Sequence, residues 1–437
     1  MKKTLSVVLL VAIAIIIVII FKTDTVEVIN NTEDTSPSSS QTETETSEQA
    51  VTTGLSKEDT TLTLTPQTVT FASGDTATLR LPEQFEISVV AENLGKARFM
   101  TMSPDNRLFV PDMVDYNLSR EGRVLIFENF NEETATFETQ TTYLDNLRGP
   151  NNVEFYTDAQ GNDWLYLTLT EHLVRYPYRA GDTEPSGEPE IIYSFPNEQT
   201  EGAEGVVWHI TRTIHFHNDT LYVSIGSGCN SCEENPNEDR AVILAMDPDG
   251  ENARTFAEGI KNGVGIAVVN GTLYATDNGT DHLGDDAPSD LMFAVTENTH
   301  YGWPYCYEVN GTKYEDNSQP WIRKNIDCEN VPIAFTSFDP HSAPLGFEYF
   351  DHPDTHGTLK NFFLVALQGS WNPEIGTGYQ LVRVSEEGEK EVFMDGFITT
   401  EGERIGRPVD VLEYTPHSFF VTDDFNGRMY FVSTRKL

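Results

Sequence analysis

The stretch from Trp208 to Cys232, WHITRTIHFHNDTLYVSIGSGCNSC, holds the residue types best suited to acid–base chemistry. His209 precedes a run of β-branched and aromatic residues, Arg212 follows three positions on, and a Gly-, Ser-, Asn- and Cys-rich loop closes the stretch. A histidine at a strand mouth, beside an arginine and a Gly-rich loop, can act as a general base next to an anion site. The competing reading is a strand-edge histidine hydrogen-bonded to backbone.

Three further stretches could bind or orient a ligand. Residues 277–290, DNGTDHLGDDAPSD, mix Asp277, Asp281, Asp285, Asp286 and Asp290 with Asn and Gly. Such an oxygen-rich loop suits calcium, although its spacing is not that of an EF-hand, and a solvated acidic loop is the alternative. Arg404 and Arg407, in GERIGRPVDV, could clamp carboxylates with two guanidinium groups. With 28 basic residues against 69 acidic ones, a structural ion pair is their competing use. Lys261-Asn262, in EGIKNGVG, offers a charge and an amide at a strand mouth. Tyr301-Gly302-Trp303-Pro304 offers aromatic faces, which also serve to pack a loop.

The elements that must position these residues are strands. From Leu81 onwards short apolar runs alternate with Gly, Asn, Asp and Pro turns. Thr213–Phe216 and Leu221–Ile225 flank Asn218-Asp219 and read as a hairpin. One unit recurs: a turn, a strand of the LYV type, a small or polar loop, and a second apolar strand. Its copies are NRLFVPDM, DWLYLTLT, DTLYVSIGSG, GTLYATDNG, NFFLVALQGSW and HSFFVTDDFNG. The spacing of roughly 50 to 60 residues fits blades of a propeller. Six copies predict an all-β, six-bladed β-propeller of four-stranded antiparallel blades, with QFEISVVA near Phe85 completing the last blade and closing the ring. A pair of β-sandwiches is the runner-up. The longer gap from Thr299 to Phe350 reads as an insertion on one loop.

The ends and the composition bound the setting. Residues 1–22, MKKTLSVVLLVAIAIIIVIIFK, place two lysines before an apolar run about long enough to cross a bilayer, with no small-residue cleavage site after it. An uncleaved N-terminal transmembrane helix with the body outside is expected, or secretion if the segment is removed. Residues 23–78, rich in Ser, Thr, Glu and Asp, read as a disordered stalk, although LTLTPQTVTFA from Leu62 could pair as a strand. Residues 79–437 form the propeller. The net charge of −41 excludes a nucleic-acid partner and any membrane contact beyond the N-terminal helix. Four cysteines outside the cytoplasm predict disulfides, and the local pairs Cys229–Cys232 and Cys306–Cys328 need the least loop closure. A four-cysteine zinc site is the rival.

In chain order, HITRTIHF, LYVSIGSGCNSC, EGIKNGVG, DNGTDHLGDDAPSD, YGWPYC, HSAPLGFEYF, QGSWN with GYQLVRV, and GRPVDV resemble the pyrroloquinoline quinone (PQQ) dependent glucose/sorbosone dehydrogenases. The resemblance implies oxidation of a sugar or aldehyde with PQQ and calcium as cofactors. It implies His209 as the general base, Arg404 and Arg407 on the PQQ carboxylates, and Asn262 at the cofactor. It also implies Gly279 and Thr280 as carbonyl ligands of calcium, and His341 on a loop bordering the substrate. Lys261 stands at a cofactor position where the family more often has Arg, and Gln368 at one where His or Lys is usual. A second, structural calcium would need an acidic residue and an asparagine after Asp290, where Leu291-Met292-Phe293 stand. No haem-attachment CxxCH is present, so electrons would pass to an external quinone or cytochrome. The alternatives are a calcium-dependent lactonase-type hydrolase and a non-catalytic propeller that binds carbohydrate or protein.

Overall fold

A computed structural model of the chain describes residues 61–116, 119–196, 208–322, 326–372 and 374–435. The expected anchor at 1–22 and the stalk as far as residue 60 lie outside the described residues. Among the described residues no helix is long and apolar enough to cross a membrane.

Among the described residues six sheets, numbered in chain order from Thr101, form the blades of the propeller, each of four antiparallel strands, with a short fifth strand added to the third. Each blade orders its strands as they occur in sequence, and the first strands of blades 2 to 6 lie against one another around the axis. The sixth blade takes three strands from the C-terminus and its fourth, Phe85–Ala91, from the start of the ring. Arg428–Thr434 pairs with that strand from Met429↔Ala91 to Thr434↔Phe85, as the expected closure requires. Asn218 and Asp219 both adopt positive φ, 47° and 59°, in the two-residue turn expected of the hairpin.

Aromatic residues fill the spaces between blades. Phe85, Phe393 and Phe419 pack where blades 5 and 6 meet, each with almost no exposure. A fully buried Phe contributes about 1.5–3 kcal/mol, so these seams account for much of the ring's cohesion.

Two boundaries differ from the sequence reading. Leu64–Thr70 and Thr76–Pro82, the end of the segment expected as stalk, form an antiparallel hairpin. Its Val69, Leu79 and Leu81 are buried in the same cluster as Phe393 and Phe397, so alternation of apolar residues there outweighs the polar composition. The insertion is also shorter than 299–350: Thr336–Phe338 is the last strand of blade 4 and Pro344–Phe350 the first of blade 5. What remains between Val295 and Thr336 contains a small hairpin, Cys306–Val309 with Thr312–Glu315, and one 3₁₀ turn, Cys328–Asn330. Thr299–His300 adds a short parallel pairing to blade 3. Both local disulfides are formed.

Candidate functional site

Antiparallel pairing puts the entry to a blade's first strand and the exit from its second strand at the same end of the ring. On blades 3 to 6 those segments are Trp208-His209 with the 226–232 loop, Lys261-Asn262 with 278–281, His341 to Ala343 with 368–371, and Arg404 to Arg407 with Asp424. They surround a cavity of about 250 Å³. The structure brings His209, Lys261, Asn262, Gly279, His341, Gln368 and Arg407 to its wall. Thr280 lines a small adjoining cavity that shares Lys261 and Gly279.

His209 is half-buried and sits at φ +42°. Its Nδ1 lies 2.9 Å from both the carbonyl oxygen and the Oγ of Ser227. A carbonyl only accepts, so Nδ1 carries the proton and the lone pair is on Nε2. The Lys261 ammonium is 3.3 Å from that Nε2. Burial, then the Lys261 charge, push the imidazole pKa well below its usual value. The ring's position needs Gly226, because a Cβ there would fall 2.6 Å from His209 Cβ and 2.7 Å from Asn262 Oδ1.

Arg212 does not make the expected anion site. Its side chain is buried and donates to the carbonyls of His209 and Thr211, so the cation beside the histidine is Lys261.

The aspartates of the 277–290 loop do not converge on one point. Asp277 accepts from the backbone N–H of Asn262 (2.7 Å) and Lys261 (3.2 Å). Asp290 accepts from Gly279 N–H (2.6 Å) and Ala343 N–H (2.7 Å). Burial raises their pKa values to about 7 and about 6. Their job is to fix the loops that enter blades 4 and 5. Among the described residues the one His, Cys, Asp and Glu group compact enough to hold a metal is Cys229, Cys232 and Glu234, and its sulfurs are joined as a disulfide.

The backbone of that loop does suit a hard cation. Among the described residues nothing donates to the carbonyls of Gly279 or Thr280, and Asn278 Oδ1 and Thr280 Oγ1 are buried without a partner. An all-oxygen set of this kind fits calcium. His341, at φ +62°, ties the loop to blade 5 through Gly284 O (Nε2, 3.0 Å) and Asp281 Oδ1 (Nδ1, 3.5 Å).

Arg407 donates to Gln368 O (3.2 Å), Gln368 Oε1 (3.1 Å) and Gly369 O (2.6 Å), which holds its guanidinium against the cavity wall. Arg404 donates instead to Trp371 O and, at 3.2 Å, to Tyr379 OH, bracing the loop that carries the exposed Trp371 at the cavity mouth. Tyr301 and Trp303 pack the wall below the 277–290 loop, and Trp303 Nε1 donates to Asn230 O. Sequence reasoning missed Trp208 and Trp371 as cavity residues, and Ser227 as the buried partner of His209. WHITRT, SIGSGC and QGSWN contain them, but without geometry nothing in a Ser or Trp distinguishes a site residue from a loop residue.

The family model described as TrAA12-like matches residues 79–433. An uncharacterized protein of Borreliella burgdorferi is 24% identical over 399 residues, spanning 86% of this chain and 97% of its own. Among solved structures, the holo form of the PQQ domain of pyranose dehydrogenase from Coprinopsis cinerea is similar with TM-score 0.65 at 16% identity, over 82% of this chain and 97% of that one. A calcium structure of the Trichoderma reesei carbohydrate-active enzyme of family AA12 gives TM-score 0.66 at 16% identity, over 81% and 96%. At such identities the structural likenesses establish the fold.

Proposed function

The chain belongs to the TrAA12-like family, and from that premise we propose that it is a PQQ- and calcium-dependent dehydrogenase of a sugar or related aldose. The observation that carries the reading is the cavity that brings together a histidine whose unprotonated Nε2 faces Lys261, a second cation in Arg407, and the edge of a loop with unpaired buried oxygens. The holo PQQ domain and the calcium structure among the similar folds support the choice of cofactors.

Arg407 and Lys261 present positive charge to the carboxylates of such a cofactor, with Asn262 as a neutral donor and Arg404 bracing the rim. Gly279 and Thr280 would hold calcium through their carbonyls. PQQ supplies, when bound, the two-electron acceptor for a hydride, with calcium as Lewis acid. His209 Nε2 would accept the proton of the sugar hydroxyl, and Ser227 keeps the ring in the tautomer that permits it. His341 and Trp371 stand where a sugar would enter. Electrons would then pass to an external quinone or cytochrome. We place the propeller outside the cytoplasm, anchored through residues 1–22, which accords with its two disulfides.

Reconstitution with PQQ and calcium, followed by a redox-dye assay over a sugar panel, tests the proposal. His209→Ala should retain PQQ while turnover falls by about 10²–10⁴-fold. Failure of the wild-type protein to take up PQQ with calcium in excess would overturn it.

A further inference from the structure

We propose that Asp424 is a positioning residue that sets the orientation of Arg407 through Gln368, an inference that rests on the dehydrogenase reading of the cavity. Asp424 follows the second strand of blade 6 and is fully buried. Its Oδ2 accepts from three donors on two other blades: Arg98 Nη1 (2.9 Å), Gln368 Nε2 (2.6 Å) and the Tyr116 hydroxyl. Its Oδ1 is buried without a partner, so the whole hydrogen-bonding load falls on one oxygen.

The consequence lies in the carboxamide of Gln368. A carboxylate can only accept, so Gln368 must turn its NH₂ to Asp424 and its Oε1 away. That Oε1 then accepts from Arg407 Nη2, 3.1 Å distant. A flipped amide would set an NH₂ against the guanidinium, donor against donor. Asp424 therefore decides which end of Gln368 faces Arg407, although Asp424 does not itself line the cavity.

The same carboxylate also reaches the base. Arg98 Nε donates to Asn151 Oδ1 (2.9 Å), Asn151 Nδ2 donates to Arg212 O (2.8 Å), and Arg212 Nη1 donates to His209 O (2.5 Å). The chain of contacts runs from blade 5 through blades 6, 1 and 2 to blade 3, and every side chain between its two ends is buried. Buried polar networks of this sort hold one arrangement because any broken link leaves an unpaired group in a low-dielectric interior.

Asp424→Asn tests the proposal, with PQQ affinity measured by spectral titration in excess calcium. The substitution keeps the shape but lets the residue donate, so Gln368 loses the constraint on its amide. PQQ binding should weaken by about tenfold or more, the usual scale for a charged hydrogen bond. Asp424→Asn with Gln368→Glu restores one carboxylate between Arg407 and residue 424, and should recover affinity to within a few-fold; a merely structural loss would not be rescued. If Asp424→Asn does not fold, Gln368→Leu cuts the same link while leaving the Arg98–Asp424 pair intact, and should weaken PQQ to the same degree. Wild-type affinity in a folded Asp424→Asn or in Gln368→Leu overturns the proposal, as does an unrescued double variant. If the wild-type protein takes up no PQQ at all, the functional reading fails. The positioning claim is then decided by a crystal structure of Asp424→Asn, in which Gln368 Oε1 either has left Arg407 or has not.

Discussion

Lys261 Nζ and His209 Nε2 lie 3.3 Å apart, on the side of the imidazole opposite the Ser227 oxygens. The two side chains are thus coupled: a charged Lys261 disfavours a second proton on the ring and also donates to its lone pair. An unperturbed histidine base would put the rise of activity with pH in the ordinary histidine range. Burial and Lys261 move it lower.

Lys261→Met should therefore raise the His209 pKa. In the proposed mechanism the neutral imidazole is the base, so the acid limb of the turnover profile should shift to higher pH in the variant. Histidine NMR titration of the full chain reads the same shift without any turnover. An unmoved pKa would mean that desolvation alone sets it.

Gly279 is predicted to control calcium affinity. A Cβ at this position would meet Pro288 Cγ at 2.7 Å and Asp290 Oδ1 at 3.2 Å, so Gly279→Ala must displace the carbonyls on either side. Calcium binding followed by isothermal titration calorimetry should weaken by about tenfold or more, and holoenzyme formation should need correspondingly more calcium. Unchanged affinity would place the cation elsewhere.

Two acids deeper in the ring predict how stability changes with pH. Burial raises Asp410 to about 8 and Glu348 to about 7. The native state thus holds protons that the unfolded chain releases near pH 4, so these groups stabilise the fold below that range and lose the contribution as pH climbs through 7 to 8. Asp410→Asn keeps an acceptor for Met100 N–H, which Asp410 binds at 2.8 Å, and removes the titration. Thermal melts should show the variant gaining on wild type between pH 5 and 8, by on the order of 1 kcal/mol or more. A parallel fall in both proteins would count against the raised pKa.

How much of this was legible beforehand differs by kind of interaction. The blades were, because each repeats within a few dozen residues. One device within those repeats was not: LFVPD, LYATD and FFVTD, in blades 1, 4 and 6, each end on an aspartate. In each blade it accepts backbone N–H groups at the entrance to the first strand: Asp112 from Gly95 and Lys96, Asp277 from Lys261 and Asn262, Asp423 from Arg407. The 277–290 loop looked like a carboxylate cation site because composition cannot show that its buried aspartates already hold backbone. Arg212 looked like an anion ligand because proximity in sequence to His209 does not reveal which way a side chain turns. The Arg98–Asp424 pair spans 326 residues, and no local pattern announces a contact that exists only because the ring closes.

The two disulfides should have separable effects. Cys306–Cys328 closes a loop of sequence separation 22 in a segment with few buried residues of its own, and Cys229–Cys232 closes one of separation 3. In the chain-entropy model these are worth about 3 and about 1.5 kcal/mol. The shorter one lies at the site, however. Ser227 Oγ, which meets His209 Nδ1, also donates to Cys229 O (2.7 Å), and Asn230 accepts from Trp303 Nε1 and from Asp281 N–H. Opening the Cys229–Cys232 loop would loosen the support of His209 and of the 277–290 loop together. Cys229→Ser with Cys232→Ser should therefore cost more turnover than melting temperature, and Cys306→Ser with Cys328→Ser more melting temperature than turnover. Assays and melts on both double variants compare them directly. Equal losses of both quantities in the two proteins would mean that the disulfides act only on global stability, and that Ser227 holds His209 without help from the loop beyond it.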